Sequence, residues 1–181
     1  MRDTHPFNKL KFCPKCGSKE FHKSGEKSLK CEACNFHFFF NSAAAVGVLV
    51  VDDEGKLMLV KRGVEPGYGK LDLPGGFVDP LETAENAVRR ELWEELGMKI
   101  KSMKYLGSAP NEYVFSDYSV FTLDMAFIVV PESVEGLKPM DDIISFKFYA
   151  EEELNLNDIL APSIRNFVKN YFKNEYNSKP C

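Results

Sequence analysis

The sequence predicts an α/β sandwich, in which helices cover a mixed β-sheet, preceded by a small N-terminal unit. Three observations predict this arrangement. Four of the five cysteines lie within residues 1–40, strand-like apolar runs flank one amphipathic helix between residues 43 and 149, and a second helical pattern occupies residues 162–172. A length of 181 residues suits one domain with a small appendage. We therefore expect the N-terminal unit at residues 1–40 and the main domain at residues 41–181.

The N-terminal unit carries two pairs of cysteines, Cys13-x-x-Cys16 and Cys31-x-x-Cys34, which are separated by fourteen residues. Each pair can place two thiolates on one turn, and two such turns form a closed tetrahedral Zn²⁺ site. Disulfides need an oxidising compartment, which nothing else in the sequence indicates. We expect a zinc ribbon with a hairpin between the pairs, in which the metal supplies most of the folding energy.

Three further features of the chain have alternative interpretations. The segment 36–40 reads Phe-His-Phe-Phe-Phe; its rings either pack the ribbon onto the next domain or offer a surface on which a base stacks. His37 follows Cys34 by three residues, but four cysteines already complete the site, so we interpret it as a surface or packing histidine. Cys181 is interpreted as an incidental thiol at the terminus.

The main domain begins with strand patterns. Nine apolar residues at 43–51 predict a buried strand, and residues 56–62 alternate as its hairpin partner. Residues 63–71 are rich in glycine and predict a loop that leads to the amphipathic helix. The elements predicted after that helix are a strand at 99–107, a polar and aromatic loop or irregular hairpin at 108–118, strands at 120–130 and 143–149, a short acidic element at 151–154 and a helix at 162–172.

The amphipathic helix carries three carboxylates, Glu91, Glu94 and Glu95, at positions i, i+3 and i+4. On a helix they share an arc of roughly 100°. Like charges at this spacing repel each other, and a bound divalent cation would reverse the sign of that energy. Carboxylate oxygens suit Mg²⁺ or Mn²⁺ better than a soft metal. Taken alone, the triplet is common, and a solvated acidic surface helix is then the favoured interpretation.

The ends of this helix are also marked in the sequence. Asp79 suits the N-cap, Pro80 the first helical position, and Glu82 completes a capping box. Gly97 can end the helix in a left-handed conformation. The apolar stripe beside the carboxylates consists of Leu81, Val88, Leu92 and Leu96.

Composition and charge narrow the class of protein. The chain is 44% hydrophobic and 28% charged, and no apolar run approaches the ~20 residues of a membrane span. The N-terminus has no apolar segment of a secretory signal, so we expect a cytoplasmic protein without a membrane partner. Residues 1–40 hold eight basic and four acidic side chains, so a net charge of −4 leaves −8 on residues 41–181. That acidic domain predicts that nucleic acid is not a partner.

The spacing of residues 76–98 is more specific than the triplet of glutamates. It runs Gly76, five residues, Glu82, seven residues, then Arg90-Glu91-Leu92-x-Glu94-Glu95-x-Gly97-Met98. This stretch of 23 residues resembles the Nudix hydrolase family, with every fixed position of that family's box filled, and Leu73-Pro74-Gly75-Gly76 resembles its entry loop. The resemblance implies a Nudix-type α/β/α sandwich with a mixed sheet.

The resemblance also implies roles for individual residues. Glu91, Glu94 and Glu95 would hold Mg²⁺ or Mn²⁺, one of them is also a candidate base, and the carbonyl of Gly75 would complete the coordination. Arg90 and Glu82 would support the site. A further acid outside the box serves as base in many members; the candidates are Asp141, Asp142, Glu132 and Glu135, each of which is otherwise a solvated loop charge.

Two residues outside the box are candidates for binding substrate. Arg62 can meet a phosphate, although a solvated charge at a strand end explains it equally well. Tyr113 can stack on a base or sugar, although packing in a hairpin explains it too. Family members are often dimers, so a homodimer is a possible assembly.

The implied reaction is hydrolysis of the pyrophosphate bond in a nucleoside diphosphate linked to another moiety, with an ADP-ribose-like or dinucleotide substrate favoured. The zinc ribbon resembles that of the NADH pyrophosphatase branch, but residues 107–113 lack that branch's Ser-Gln-Pro-Trp-type motif. The alternative function is a non-catalytic module that senses or binds a nucleotide. An isoprenoid diphosphate isomerase would need a catalytic cysteine, and residues 41–180 contain none.

Overall fold

The structure, a computed structural model, describes residues 2–176, so Cys181 lies outside the described part. The chain divides into two units, one made of Met1–Ala43 and Glu112–Phe121 and the other of Ala44–Asn111 and Thr122–Cys181. The domain boundary after residue 40 stays a prediction about independently folding parts. No helix within residues 2–176 is both long and apolar enough to cross a membrane.

The N-terminal unit is built on a small antiparallel sheet. Helix α1 (Pro6–Lys9) precedes strands β1 (Phe21–Lys23), β2 (Ser28–Cys31) and β3 (His37–Phe39), which pair in the order β1-β2-β3. The hairpin predicted between the cysteine pairs is therefore confirmed as β1 and β2.

The side chains of segment 36–40 alternate between the interior and the surface, as they do in a β-strand. Alternate rings pack against the apolar cluster of this unit, which includes Cys13 and Cys31. These rings are Phe36, Phe38 and Phe40. The residues between them, His37 and Phe39, are exposed and their ring centroids lie 4.3 Å apart. His37 is therefore a surface histidine, as predicted, and Phe39 alone is left for the base-stacking interpretation.

Segment 112–121 is the tip of a long hairpin, and it contacts the first residues of the chain. The buried Ser119 donates its N–H to the carbonyl of Thr4 at 2.8 Å, and the two hydroxyls lie 2.8 Å apart. Lys9 forms ion pairs with both Asp117 and Asp3. These contacts explain why the tip groups with the N-terminal unit, which no local pattern in the sequence indicates.

Two three-stranded sheets run through the rest of the chain. The first has the order β4-β8-β7, where the strands are β4 (Ala43–Val50), β7 (Ile100–Phe115) and β8 (Tyr118–Pro131). The second has the order β6-β5-β9, where the strands are β5 (Leu57–Arg62), β6 (Leu71–Asp72) and β9 (Ile143–Tyr149). In the second sheet β5 pairs antiparallel with both neighbours.

Helices α2 (Ala84–Leu96) and α3 (Pro162–Phe172) cover opposite sides of these strands. Alternate residues of β5 show this directly, because Met58 and Val60 pack in the cluster that contains α2. Leu57 and Leu59 pack in the other cluster, which contains α3. Strands buried on both faces must be apolar throughout, which explains the unbroken apolar runs in the sequence. The predicted α/β sandwich is confirmed.

Most predicted elements agree with the structure, and α3 and β9 match to the residue. For residues 108–118 the loop alternative is wrong and the hairpin alternative is confirmed. Strand β7 continues to Phe115, and Ser116 and Asp117 turn the chain with φ of 50° and 60°. Two successive residues with positive φ suit a two-residue turn between twisted strands. Two short 3₁₀ helices, Glu151–Glu153 and Leu156–Asp158, follow β9.

Candidate functional site

The helix that carries the glutamates starts later than its sequence predicts. Thr83 is the N-cap of α2, and its side chain accepts a hydrogen bond from the N–H of Asn86 at 3.2 Å. The predicted start at Asp79 is wrong because Leu81 has a φ of 67°, which no right-handed helix can contain. The carboxylate of Glu82 still accepts from the Asp79 N–H at 3.0 Å. The threonine before a helical pattern was the signal that the capping-box interpretation missed.

The apolar side of α2 agrees with the prediction except at its first member. Val88, Leu92 and Leu96 are buried, whereas Leu81 is fully exposed because it precedes the helix. Gly97 ends the helix with a φ of 65°, in the left-handed conformation that was predicted. The buried stripe therefore fixes which face of α2 presents its carboxylates.

Arg90 joins the acidic residues to one another. Its guanidinium donates to both oxygens of Glu82, at 3.0 and 2.9 Å, and to the carbonyl of Phe77 at 2.9 Å. Its Nη1 also donates to Glu91 at 2.7 Å and to Glu94 at 3.1 Å. One planar cation thus holds the loop before α2 and two glutamates on the helix in fixed relative positions.

The acidic residues of the cluster differ in exposure, and Glu82 and Glu91 differ in the direction of their pKa shifts. Hydrogen bonds from Arg90 lower the pKa of Glu82 below its ordinary value. Burial raises the pKa of Glu91, and the adjacent guanidinium opposes that change only in part. The side chain of Glu94 is 47% exposed, whereas that of Glu91 is 13% exposed. The cluster therefore extends from solvent into the interior.

Glu95 is the most deeply buried member, with 7% of its surface exposed. Its Oε2 accepts one hydrogen bond, from the N–H of Gly75 at 2.9 Å. No lysine or arginine within residues 2–176 forms an ion pair with it. Burial, together with the charges of Glu91, Asp72 and Asp141, raises the pKa of Glu95 to about 8. The site therefore contains a buried carboxylate whose charge no basic side chain of the described residues neutralises.

The loop before α2 approaches the helix closely because its backbone pairs with β4. Val46 donates its N–H to the carbonyl of Gly76 at 2.8 Å, and Val48 donates to that of Pro74 at 2.9 Å. Gly75 has a φ of 133°, and a Cβ there would lie 2.2 Å from the carbonyl oxygen of Val46. This position can hold only glycine without displacing the backbone.

The glutamates suit a hard divalent cation by their chemistry and charge. Within the described chain only the four cysteines place three or more ligand atoms within 4.8 Å of one another, so the carboxylate oxygens are more widely spread. Mg²⁺ keeps several waters and is usually held by one or two carboxylates together with substrate phosphates. A loose set of carboxylates, one of them buried without a cation, fits that mode of binding.

The loop that contains Asp141 is attached to the end of α2. Met140 donates its N–H to the carbonyl of Glu95 at 2.8 Å, and Lys138 donates to that of Leu96 at 3.4 Å. These carbonyls have no partner within the helix, so the loop supplies one. Of the four acids predicted as candidate bases, Asp141 is the one whose charge raises the pKa of Glu95.

Arg62, a predicted substrate residue, is engaged within its own hairpin. Its guanidinium donates to Asp72 at 2.9 Å and to the carbonyl of Pro66 at 2.9 Å. Burial raises the pKa of Asp72, and the charge of Arg62 opposes that change. The sequence does not predict this pair, because its members are ten residues apart and only the pairing of β5 with β6 brings them together. Tyr113 is partly buried within segment 112–121, and its binding role stays a prediction.

The four cysteines converge as the spacing predicts. The sulfurs of Cys13 and Cys34 lie 3.7 Å apart, those of Cys16 and Cys31 lie 3.6 Å apart, and all four lie within 4.8 Å of one another. Bonds of 2.3 Å to a tetrahedral zinc separate two sulfurs by about 3.8 Å. A disulfide would need about 2.05 Å. The cluster therefore fits a closed zinc site.

Comparisons with known proteins agree with the fold and with the box. A family model described as NUDIX domain matches residues 41–171. A protein of Mannheimia succiniciproducens named NAD-capped RNA hydrolase NudC is 32% identical over 156 residues, which cover 82% of this chain and 55% of that protein. The protein of the same name from Haemophilus influenzae strain PittGG is 33% identical over 117 residues, or 63% and 44% of the two chains. The chain spans about half the length of the curated relatives it matches.

A solved structure shows the same fold over nearly the whole chain. The NUDIX hydrolase from Nitrosomonas europaea superposes with a TM-score of 0.70 at 24% identity, and the match covers 95% of this chain and 96% of that one. At this identity the likeness concerns the fold alone. Because the family model covers well over half of the residues, the chain belongs to the Nudix family.

Proposed function

We propose that this chain is a Mg²⁺-dependent pyrophosphohydrolase that cleaves the pyrophosphate bond of a nucleoside diphosphate linked to another moiety. The observation that carries the proposal is Glu95, a buried carboxylate that forms no ion pair with a lysine or arginine of residues 2–176, beside the partly buried carboxylate of Glu91. At neutral pH a folded protein tolerates such a pair either by keeping one carboxyl protonated or by binding a cation between them, and a divalent cation is the partner that would let both ionise. A module that only binds a nucleotide has no need of this arrangement.

The residues of the chain prepare the site for the ion and for the reaction. Glu91, Glu94 and Glu95 are the proposed ligands, with the carbonyl of Gly75. When bound, the ion neutralises the diphosphate and makes a water more acidic. Arg90 keeps two of these glutamates in place. The N–H of Gly75 holds one oxygen of Glu95, which leaves the other oxygen for the ion.

A carboxylate close to the ligands can take the proton from the attacking water. We propose Asp141 for this role, because the loop that holds it is hydrogen-bonded to the end of α2 and its charge acts on Glu95. One of the glutamates is the alternative base. The charges that raise the pKa of Glu95 do not include Glu132, Glu135 or Asp142.

Replacing Asp141 with asparagine is expected to lower kcat by about 10²-fold, in the usual range for loss of a general base. Asparagine tolerates the φ of 50° found at this position, so the loop keeps its conformation. The measurement is steady-state hydrolysis of a dinucleotide at saturating Mg²⁺. Asp142→Asn is the matched control and should keep kcat within about twofold. An equal loss in both variants would remove Asp141 from the mechanism.

The substrate class follows from the family and its named relatives. The first candidates are ADP-ribose and dinucleotides, which carry a diphosphate between two nucleoside-like groups. Two relatives are named NAD-capped RNA hydrolases, so an oligonucleotide with an NAD cap is a further candidate. In all of them the bond cleaved is the same phosphoanhydride.

A substrate panel tests the proposal directly. ADP-ribose, NADH, a dinucleoside diphosphate and NAD-capped RNA are incubated with the full chain, with Mg²⁺ and with EDTA, and the products are separated by chromatography. We expect cleavage of at least one member that depends on Mg²⁺. Tight binding of one member without turnover of any would instead favour the nucleotide-binding module.

We propose that zinc at the four cysteines is structural. Removing it with a chelator and then restoring Mg²⁺ is expected to raise hydrogen exchange at residues 13–40 by at least about tenfold, since small metal domains lose their fold without the ion. Hydrolysis of a dinucleotide should fall by less than about threefold. The chelated protein after zinc is added back is the control. Complete loss of Mg²⁺-supplemented activity would contradict a purely structural role.

A further inference from the structure

The segment around the first cysteine pair, Cys13 and Cys16, carries a surface patch that is separate from the residues proposed for hydrolysis. It consists of Lys11, Phe12, Lys15 and Lys19, here named the knuckle patch, and all four side chains are exposed. The N–H of Cys13 donates to the carbonyl of Ser18 at 2.9 Å, which closes the loop between them. The patch is therefore carried by a short segment that the metal ligands fix.

The lysines of the knuckle patch are free to bind an anion. Among residues 2–176, Lys11, Lys15 and Lys19 form no ion pair, whereas Lys9 and Lys23 of the same unit each contact an acidic side chain. Residues 1–40 carry a net charge of +4, against −8 for the remainder. The prediction that nucleic acid is not a partner rests on the acidic charge of residues 41–181, and it therefore does not apply to the basic residues 1–40.

Phe12 gives the knuckle patch an aromatic face. The ring is 56% exposed, and Nζ of Lys19 lies 5.8 Å from its centroid. Single exposed aromatic side chains are common on protein surfaces. A ring beside unpaired cations is the combination found where single-stranded nucleic acids bind, because bases stack on the ring while cations follow the phosphates.

We propose that the knuckle patch binds single-stranded RNA, with a base on Phe12 and phosphates near Lys11, Lys15 and Lys19. An acidic peptide would use the same lysines but would gain little from the exposed ring. The choice of RNA rather than DNA rests on the proposed function, in which a capped RNA is one of the candidate substrates.

The test measures binding of a 5′-fluorescein-labelled 12-nucleotide RNA to the full zinc-loaded chain by fluorescence anisotropy. Lys15→Ala/Lys19→Ala is expected to weaken binding by at least about tenfold and to reduce the slope of log K against log salt by about 1.4, or ~0.7 for each lost contact on a single strand. Phe12→Ala is expected to weaken binding by about tenfold with the slope unchanged. The control Lys169→Ala/Lys173→Ala removes the same charge near the end of α3 and should change neither quantity.

Four outcomes would overturn the proposal. Equal weakening by the control pair would mean that binding reflects net charge alone. If Phe12→Ala did not change RNA binding, the patch would be a site for acidic peptides. The same would follow if a polyglutamate peptide competed for the patch as well as RNA does. Tighter binding of DNA of the same sequence would overturn the choice of RNA.

Hydrolysis of a dinucleotide separates this proposal from the proposed function. The knuckle variants should hydrolyse a dinucleotide at the wild-type rate, since none of the changed residues belongs to the acidic cluster. Patch-dependent RNA binding without hydrolysis of any pyrophosphate would sink the proposed function and leave this inference standing. Hydrolysis with RNA binding that does not depend on the patch would do the reverse.

Discussion

Replacing Glu95 with glutamine is expected to lower kcat by about 10²- to 10³-fold, because a ligand carboxylate contributes several kcal/mol of charge stabilisation and each 1.36 kcal/mol is tenfold in rate. Glutamine keeps an oxygen that can accept from the Gly75 N–H, so the position of the side chain should survive. Hydrolysis of the best substrate in the panel at saturating Mg²⁺ measures the effect. An unchanged kcat would remove Glu95 from the mechanism.

The same variant should be more stable than the wild type when no divalent metal is present. The pKa of Glu95 is raised in the folded state to about 8, so the folded protein binds a proton that the unfolded chain releases near its ordinary value of 4.5. Stability of the wild type should therefore fall as the pH rises from about 5 to 8. At pH 8 the neutral glutamine should recover about 3–5 kcal/mol of unfolding free energy, at about 1.36 kcal/mol for each pH unit between 4.5 and 8.

Glu94→Gln is the matched control for this second effect. Glu94 belongs to the same proposed ligand set, but its side chain is 47% exposed, so its charge costs little to hold in the fold. We expect Glu94→Gln to lose activity without gaining stability in EDTA. Urea unfolding at pH 5 and pH 8 measures both variants. If the stability of the wild type in EDTA did not fall between these pH values, burial of the charge of Glu95 would not destabilise the metal-free fold.

The general plan of the site could be predicted because it lies within a continuous stretch. The spacing of Glu91, Glu94 and Glu95 follows from helical geometry, and the glycine at position 97 ends the helix as predicted. The four cysteines likewise meet because each pair sits on one turn. Features that depend on a few neighbouring residues can therefore be predicted from the local sequence.

Features that depend on pairing between distant segments could not be predicted. Nothing near Asp141 in the sequence indicates that its loop is bonded to the end of α2. The ion pair between Arg62 and Asp72 could not be predicted, because only the register of β5 and β6 brings the two residues together. The role of Arg62 in binding substrate stays a prediction. The start of α2 was placed too early because a capping box can form in a turn outside the helix, and the backbone of Leu81 decides between the two.

The two glycines that precede the helix should respond in different ways to replacement by alanine. Gly75→Ala places a methyl group 2.2 Å from the carbonyl oxygen of Val46 at a φ of 133°, so the pairing of this loop with β4 must break. We expect a loss of about 3 kcal/mol or more of unfolding free energy, measured by urea denaturation. In Gly76→Ala the atoms nearest the added methyl group belong to the carboxylate of Glu91, at 2.5 Å, and that flexible end can move. It should keep most of the stability and lose activity by about tenfold or more, because Glu91 shifts from Arg90.

Gly136→Ala separates the cost of steric conflict from the cost of backbone conformation. Gly136 has a φ of 77°, but nothing lies within 4 Å of the position of its Cβ. Alanine there should cost about 1 kcal/mol, the conformational part alone, and should leave kcat unchanged. If Gly75→Ala cost no more than Gly136→Ala, the loop would not be held against β4 as the structure shows. If Gly76→Ala unfolded the protein, the side chain of Glu91 would be too rigidly held to move away from the added methyl group. The loss of activity in this variant would then reflect unfolding and not the chemistry of the site.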